Sequence, residues 1–134
     1  NADADLIICC DSILAFDGTV YEKPANDDIA LQRLKLLRGN THQFMSTVVL
    51  CLKKKDGERI MRDFTNITQI AMADSTDEML EAYIKLGEYK GTAAGYRIDA
   101  VGGSLVSKVD GCFYNCCGFP QHQFCETLLE MLSN

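Results

Sequence analysis

The stretch LIICCDSILAFDGTVYEKP, residues 6–24, contains the features that decide the fold and the candidate site. Its first five residues, 6–10, form a continuous apolar run, which predicts a strand buried on both faces, as in a layered α/β protein. Asp11 is then expected at the carboxyl end of that strand, where ligands of open α/β sheets usually bind. The Asp17-Gly18 pair that follows is a hairpin signal, and such a turn would fold Lys23 back toward Asp11. The sequence therefore predicts a carboxylate and an ammonium group close together in space.

Asp11 and Lys23 also have ordinary structural explanations. An aspartate after a strand can cap the following turn, and a lysine before a proline can be a solvated surface residue. As neighbours they suit another role, in which a carboxylate holds Mg²⁺ or activates water beside a cation for phosphate oxygens. The chain has neither a P-loop pattern nor a nucleophile elbow. The residues alone thus indicate a small α/β domain with a candidate metal and phosphate site.

The composition limits the class of protein and its partners. The chain has 134 residues, 47% of them hydrophobic, and is expected to form a single domain over residues 1–134. Its formal net charge of -6 disfavours nucleic acid as a partner, yet allows a small anionic substrate whose charge a bound divalent ion offsets. No apolar stretch reaches the membrane-spanning length of about 18 residues, and the N-terminus lacks a basic leader. We therefore expect a cytoplasmic protein that binds neither a membrane nor nucleic acid.

The seven cysteines do not follow a disulfide or zinc-finger pattern. Their number is odd, two pairs are adjacent in sequence, and C-x-x-C does not occur. Reduced and mostly buried thiols are expected. The alternative is a zinc site built from Cys112, Cys116 or Cys117 and His122. A thiol-based redox function would rest only on the number of cysteines.

Helix and hairpin signals alternate along the rest of the chain. Helices are predicted over residues 26–39, 75–87 and 120–132, the second with Ser75 and Glu78 as a capping box. Their predicted inward faces include Met79 in the second helix and Leu132 in the third. Hairpin turns are predicted at Asp56-Gly57 and at Asp110-Gly111, the latter between two strands. This order implies an α/β domain with a mixed twisted sheet flanked by helices.

Five groups of motifs occur in the same order as in a known family. They are CDSIL (10–14) with GTVYEKP (18–24), LRGNTHQFMST (37–47), YIKLGEY (83–89), AAGYRID (93–99) and VDGCFYNCCGFP (109–120). They resemble A-D-T-V-V with G-x-I-L-x-K-P, L-S-G-x-x-H-x-V-x-T, Y-x-x-x-G-E-P, D-K-A-G-x-Y-G-I-Q and I-E-G-D-Y-F-N-V-V-G-L-P of the Maf-like nucleotide pyrophosphatases. These proteins are related to septum formation inhibitors and have a fold similar to that of inosine triphosphate pyrophosphatase.

The resemblance implies a house-cleaning hydrolase that converts nucleoside triphosphates, including deoxynucleotides, to the monophosphate and pyrophosphate with Mg²⁺ or Mn²⁺. Family members favour pyrimidine or modified nucleotides and often form homodimers. By this resemblance Asp11 is the catalytic, metal-linked aspartate and Lys23 contacts substrate phosphate. Ser12 would line the pocket, in place of the usual threonine. Asp99 would bind substrate in place of a glutamine associated with pyrimidine selection.

The sequence differs from the family pattern at three places. Gly91-Thr92 replaces the D-K pair, and the acid at Asp99 can accept hydrogen bonds but cannot donate them as an amide does. The family's S-x-S-P-R-R segment, whose arginines and helix amides would hold triphosphate, is expected to precede residue 1. The chain is thus expected to be a Maf-like domain without its N-terminal phosphate-binding segment. The alternative to an enzyme is a catalytically impaired Maf-like module that binds a nucleotide or a partner.

Overall fold

The computed structural model describes residues 3–133, so the predicted domain limits, residues 1 and 134, lie outside the described residues. The strands are β1 (Leu6–Phe16), β2 (Thr19–Tyr21), β3 (Thr41–Lys53), β4 (Arg59–Met72) and β5 (Val106–Asp110). The helices are α1 (Asp27–Leu37), α2 (Asp77–Lys85), α3 (Phe113–Cys116) and α4 (Gln121–Ser133), with a 3-10 helix at Val101–Leu105. None of the described helices combines the length and apolar character needed to span a membrane.

The five strands form one sheet in the order β2-β1-β3-β4-β5. Every pairing between the described strands is antiparallel, whereas a mixed sheet was expected. The predicted hairpins account for two of these pairings, β1 with β2 and β3 with β4, and two-residue turns can join only antiparallel neighbours. The predicted α/β class, with helices packed on a twisted sheet, is confirmed.

Strand β1 is longer than predicted, and Asp11 lies in its middle rather than at its carboxyl end. The reason is its partner: β3 pairs with β1 continuously from Leu6↔Leu52 to Ala15↔Gln43. The apolar run predicted the strand but not its length, because the length depends on pairing with residues 43–52, which are distant in sequence. The prediction that residues 6–10 are buried on both faces is wrong, since Ile8, Cys9 and Cys10 are exposed.

The Asp17-Gly18 hairpin forms as predicted. Asp17 and Gly18 have φ values of 51° and 75°, the left-handed values that both central residues of a type I′ turn require. Strand β2 is short and pairs only with Leu14, Ala15 and Phe16 of β1. Within the described part of the chain, residues 6–13 of β1 therefore form an open edge of the sheet.

The core lies between one face of the sheet and the helices. Leu14, Phe44 and Ile70 point from three neighbouring strands toward Leu34 of α1 and Leu80 of α2. A second cluster, centred on Val48, Leu50 and Met131, joins α4 to the same face. Because side chains alternate along a strand, the residues between these core positions face the opposite side of the sheet.

The predicted helices form, with local differences at their caps and faces. Asn26 caps α1 at the predicted start of that helix, but Thr76 rather than Ser75 caps α2, because the Thr76 hydroxyl accepts the N–H of Met79 at 3.2 Å. Met79 is 48% exposed and does not belong to the core. In α4 the predicted position Leu132 is exposed and Met131 is buried instead.

The segment after Asp110-Gly111 is a helix, so the predicted second strand is wrong. Asn115 of α3 is buried, and its side-chain amide donates to Phe44 O at 3.0 Å, to Asn66 O at 3.2 Å and to Thr68 Oγ1 at 3.0 Å. These bonds hold the short helix α3 against the middle of the sheet. They are contacts between distant parts of the chain and override the local β preference of the segment.

Candidate functional site

A cleft of about 330 Å³ opens beside the exposed edge of β1. Its lining includes residues 10–12 of β1, residues of the loop 91–99 that follows α2, and residues 116–118 at the end of α3. Asp11 and Ser12 are consecutive on β1, so their side chains point to opposite faces of the sheet. Because both line the cleft, the cleft lies along the edge of β1. The cleft brings together the four predicted site residues, which are Asp11, Ser12, Lys23 and Asp99. Their individual roles stay predictions.

The Asp11 carboxylate is oriented by its own strand. Its Oδ1 accepts the backbone N–H of Ser12 at 3.0 Å. The bond forms at the edge of β1, because β2 ends its pairing at Leu14. With one oxygen held against the backbone, the second can take a proton from water or bind a cation.

Ser12 joins three parts of the site. Its hydroxyl lies 2.7 Å from Ser46 Oγ on β3 and donates to Gly118 O at 3.4 Å. The Cys10 thiol donates to the same carbonyl at 3.4 Å. Ser12 therefore fixes the distance between β1 and the wall after α3, and its hydroxyl is engaged with protein atoms.

Lys23 reaches the cleft through the β1–β2 hairpin. It is exposed, lies two residues beyond β2, and is followed by Pro24. A Cβ placed on Gly95 would lie 3.7 Å from Pro24 Cγ, so the segment that carries Lys23 rests against the loop 91–99. The hairpin thus places Lys23 in the lining of the cleft, beside the loop 91–99.

Asp99 forms an ion pair with a residue that the sequence analysis missed. Arg97 donates from Nε to Asp99 Oδ1 at 3.2 Å and from a terminal nitrogen to Oδ2 at 3.1 Å, and both side chains are about half exposed, 51% and 41%. The hydrogen bond from Arg97 lowers the pKa of Asp99, and the same bond raises the pKa of Arg97. Opposite charges two residues apart in a loop were the available signal for this pair.

Behind the ion pair, a hydrogen-bond network fixes the backbone of Arg97. The Arg97 N–H donates to the Tyr83 hydroxyl at 2.9 Å, and that hydroxyl donates to Glu88 Oε1 at 2.9 Å. The Glu88 carboxylate also accepts the N–H groups of Val101 at 3.3 Å and Gly102 at 2.9 Å. The loop that carries Arg97 is therefore anchored to α2 and to the 3-10 helix, which makes its position in the cleft well defined.

Two neutral side chains support the floor of the cleft. Tyr96 is buried and its hydroxyl lies 2.8 Å from Nε2 of His42. Burial lowers the pKa of His42 to about 4, and burial raises the pKa of Tyr96. Both groups are uncharged at neutral pH, so the charges that meet a ligand in the cleft come from Asp11, Lys23, Arg97 and Asp99.

All seven cysteines lie in the described residues and are free thiols, but none is fully buried, so the prediction of mostly buried thiols is wrong. Burial, then neighbouring Cys117 and Cys112, raises the pKa of Cys116 to about 12. Burial also raises the pKa of Cys10, and burial followed by Asp99 raises that of Cys117. Protonated thiols are poor nucleophiles and ligands. Among residues 3–133 there is no group of three potential metal-binding side chains, and the zinc alternative finds no support.

Together, the fold and the cleft define an α/β domain with a carboxylate and an amine at one strand edge. The model of the Maf-like protein family matches residues 1–131. A dTTP/UTP pyrophosphatase of Clostridium tetani is 33% identical over 129 residues, which cover 96% of this chain and 66% of that protein. A dTTP/UTP pyrophosphatase of Clostridium botulinum is 32% identical over 131 residues, covering 98% and 66%. A probable bifunctional dTTP/UTP pyrophosphatase/methyltransferase protein of Homo sapiens is 33% identical over 130 residues, covering 95% and 21%.

The chain belongs to the Maf-like family, as its motifs predicted. It spans 66% of the length of the two clostridial relatives.

Proposed function

We propose that the protein is a nucleoside triphosphate pyrophosphatase that releases pyrophosphate and leaves the nucleoside monophosphate. The observation that carries the proposal is that Asp11 and Lys23 line one cleft in a Maf-like chain. The names of the relatives favour dTTP and UTP among the substrates. As part of the same proposal, the protein works in the cytoplasm as a house-cleaning enzyme and forms a homodimer.

Lys23, Asp11 and Ser12 have separate roles in the proposed reaction. The Lys23 ammonium binds phosphate oxygens and offsets the negative charge that develops as the bond to phosphorus breaks. The Asp11 carboxylate, held by the Ser12 N–H, either accepts a proton from the attacking water or binds a divalent ion. Ser12 keeps the two walls at a fixed separation through Ser46 and Gly118.

A divalent ion, Mg²⁺ or Mn²⁺, belongs to the proposal. Mg²⁺ is commonly held by one or two carboxylates together with substrate phosphates and water, rather than by an all-protein set of ligands. The cleft fits an arrangement with one protein carboxylate. Asp11 is exposed there and can bind the ion, whereas the other carboxylate of the cleft, Asp99, is already paired with Arg97. Such an ion would neutralise phosphate charge, which a chain of net charge -6 otherwise repels.

The role of Asp11 is tested by Asp11→Asn, which keeps the shape of the side chain but removes its basicity and charge. Pyrophosphate release from UTP should fall by roughly a hundredfold or more, as expected for loss of a general base or metal ligand. Asp17→Asn is the matched control, since Asp17 lies in the adjacent turn outside the cleft and asparagine also tolerates positive φ. Equal activity in Asp11→Asn and the control would refute the assigned role.

The metal is tested by removing it. Dialysis against EDTA should abolish pyrophosphate release, and Mg²⁺ or Mn²⁺ should restore it, because the single charge of Lys23 offsets little of the triphosphate charge and the Asp11 carboxylate repels it. Addition of Ca²⁺ provides a comparison with a larger ion of the same charge. Undiminished turnover in EDTA would contradict the metal requirement. It would not contradict the assignment as a hydrolase, which the Asp11→Asn variant tests separately.

One observation favours the impaired module as a second candidate. Thr92, at the place of the family's D-K lysine, uses its hydroxyl within its own loop, donating to Tyr89 O and accepting the Gly95 N–H at 3.1 Å. The cleft thus lacks a cation at that position. Calorimetric binding of UTP by the complete protein without pyrophosphate release in the presence of Mg²⁺ would establish this alternative.

A further inference from the structure

A chain of hydrogen bonds runs from the interior of the sheet into the cleft, from Ser46 through Ser12 to Gly118. The hydroxyl oxygens of Ser46 and Ser12 lie 2.7 Å apart, and Ser12 Oγ lies 3.4 Å from Gly118 O. Ser12 and Gly118 line the cleft, whereas Ser46 lies behind Ser12 on β3 and is fully buried. The chain therefore connects a buried hydroxyl to a group that a ligand can reach.

The burial of Ser46 fixes the direction of these bonds. A hydroxyl group has one hydrogen, and burying that hydrogen without an acceptor costs free energy. Among residues 3–133, the one hydrogen-bond partner of the Ser46 hydroxyl is Ser12 Oγ. Ser46 is therefore the donor in this pair, because the opposite direction would leave its own hydrogen without an acceptor. The hydroxyl hydrogen of Ser12 is then directed away from Ser46, toward Gly118 O and the cleft.

The bond from Ser12 to Gly118 is the weak link of this chain. Its length of 3.4 Å exceeds the usual O–H···O distance of about 2.7 Å. The Cys10 thiol donates to the same carbonyl at 3.4 Å, and a bond from the larger sulfur atom is naturally longer. Gly118 O would thus keep one donor if the Ser12 hydroxyl turned to another acceptor. The hydroxyl hydrogen of Ser12 can therefore change partners at little cost.

A phosphate oxygen is the acceptor that the cleft favours for this hydrogen. Hydrogen bonds to an ionised acceptor are shorter and roughly twice as strong as those between neutral groups. Lys23 lines the same cleft and supplies a positive charge that attracts such an oxygen. A phosphate oxygen therefore competes successfully with the neutral Gly118 carbonyl for the Ser12 hydroxyl.

We infer that Ser46 is a positioning residue that donates to Ser12 Oγ, so that the Ser12 hydroxyl presents its hydrogen to a phosphate oxygen of the nucleotide. Without a ligand, that hydrogen is bonded to Gly118 O. With a ligand, it passes to the phosphate, and the Cys10 thiol keeps the Gly118 carbonyl joined to β1. The inference rests on the proposed function and deepens it, because it names the group behind the cleft that orients Ser12. Ser46 acts only through Ser12, since Ser46 itself lies outside the cleft.

The test measures KM and kcat for UTP in the complete protein, in Ser46→Ala, in Ser12→Ala and in the double variant. Ser46→Ala should raise KM by roughly threefold to tenfold and leave kcat within about twofold, because the bond to phosphate exists in both the bound substrate and the transition state. In the Ser12→Ala background, Ser46→Ala should have no further effect, whereas a merely structural effect would persist. Ser75→Ala is the matched control and should keep the wild-type KM, since Ser75 is also buried and its hydroxyl has no partner among the described residues.

Binding of the non-hydrolysable α,β-imido analogue of UTP, measured by calorimetry, should show the same rise in Kd and does not depend on turnover. Ser46→Cys keeps a weak donor, should give an intermediate KM, and takes the place of Ser46→Ala if the alanine variant does not fold. A wild-type KM in Ser46→Ala, or additive increases in the double variant, would overturn the inference. Absence of pyrophosphate release from every triphosphate would refute the proposed hydrolase, while weaker analogue binding in Ser46→Ala would still support the positioning role.

Discussion

At the residue scale, the position of Arg97 depends on the absence of a side chain at Gly102. A Cβ there would lie 2.4 Å from Arg97 O and 2.7 Å from Arg97 N. Both contacts are to backbone atoms, which cannot move aside as the end of a flexible side chain would. The small residue is therefore needed for the loop to approach the 3-10 helix closely.

We expect Gly102→Ala to destabilise the protein by about 1–3 kcal/mol, because the loop must shift to admit the methyl group. The change should lower the melting temperature measured by circular dichroism. The control is Ser104→Ala, at an exposed position of the same 3-10 helix, which should stay within about 0.5 kcal/mol of wild type. Matching melting curves for Gly102→Ala and wild type would show that the close contact is relieved without cost.

Some site residues could be predicted from the sequence because their signals are local. The Asp17-Gly18 turn led to the prediction that Lys23 folds back toward Asp11, and both residues line the cleft. The charge pattern of residues 97 and 99 could indicate the ion pair of Arg97 but not its place in the cleft. Its place in the cleft results from hydrogen bonds to Tyr83, fourteen residues earlier, and such contacts leave no periodic pattern in the sequence.

At the element scale, the β1–β2 hairpin carries Lys23, so its turn should influence both stability and substrate binding. Gly18 has φ of +75° and a Cβ added there would meet nothing within 4 Å. The cost of a side chain at this position is therefore conformational rather than steric.

Gly18→Ala should destabilise the protein by about 1 kcal/mol, seen as a lower urea midpoint. We also expect a higher KM for UTP, because a strained hairpin holds Lys23 less firmly. Gly18→Asn is the comparison, since asparagine adopts left-handed backbone angles more readily and should recover most of the loss. If the alanine variant were as stable as wild type, the turn would not require its positive φ.

Elements whose limits depend on distant partners were predicted less well. The hairpin of β3 and β4 was predicted from its turn signal at Asp56-Gly57, and β4 begins at Arg59, two residues after that turn. Helix α3 was predicted as a strand, since the bonds of Asn115 to residues 44, 66 and 68 decide its conformation. Local turn chemistry is visible in sequence, whereas docking onto a sheet is not.

At the scale of the whole molecule, stability should depend on pH through His42. Burial lowers its pKa to about 4 in the folded protein, from 6.5 as the ordinary value. The unfolded chain therefore binds a proton first as the pH falls. The contribution of neutral His42 to the free energy of unfolding is complete above about pH 6.5 and is lost as the pH falls toward about 4.

His42→Gln removes this titration and leaves a polar group near the Tyr96 hydroxyl. Between about pH 7.5 and about pH 5, the free energy of unfolding of wild type should fall by about 2 kcal/mol more than that of the variant. Urea unfolding at the two pH values measures the difference. His122→Gln, at an exposed position on α4, serves as the control and should follow wild type. Parallel losses in wild type and His42→Gln would show that His42 does not titrate in this range.

The backbone amide of Ser12 has one hydrogen to give, and at present the neighbouring carboxylate takes it. Any segment that extended the sheet beyond β1 at this register would compete for the same hydrogen. Sheet extension at this point and the observed orientation of Asp11 are therefore mutually exclusive, and a strand docking there would release the acid from its own backbone.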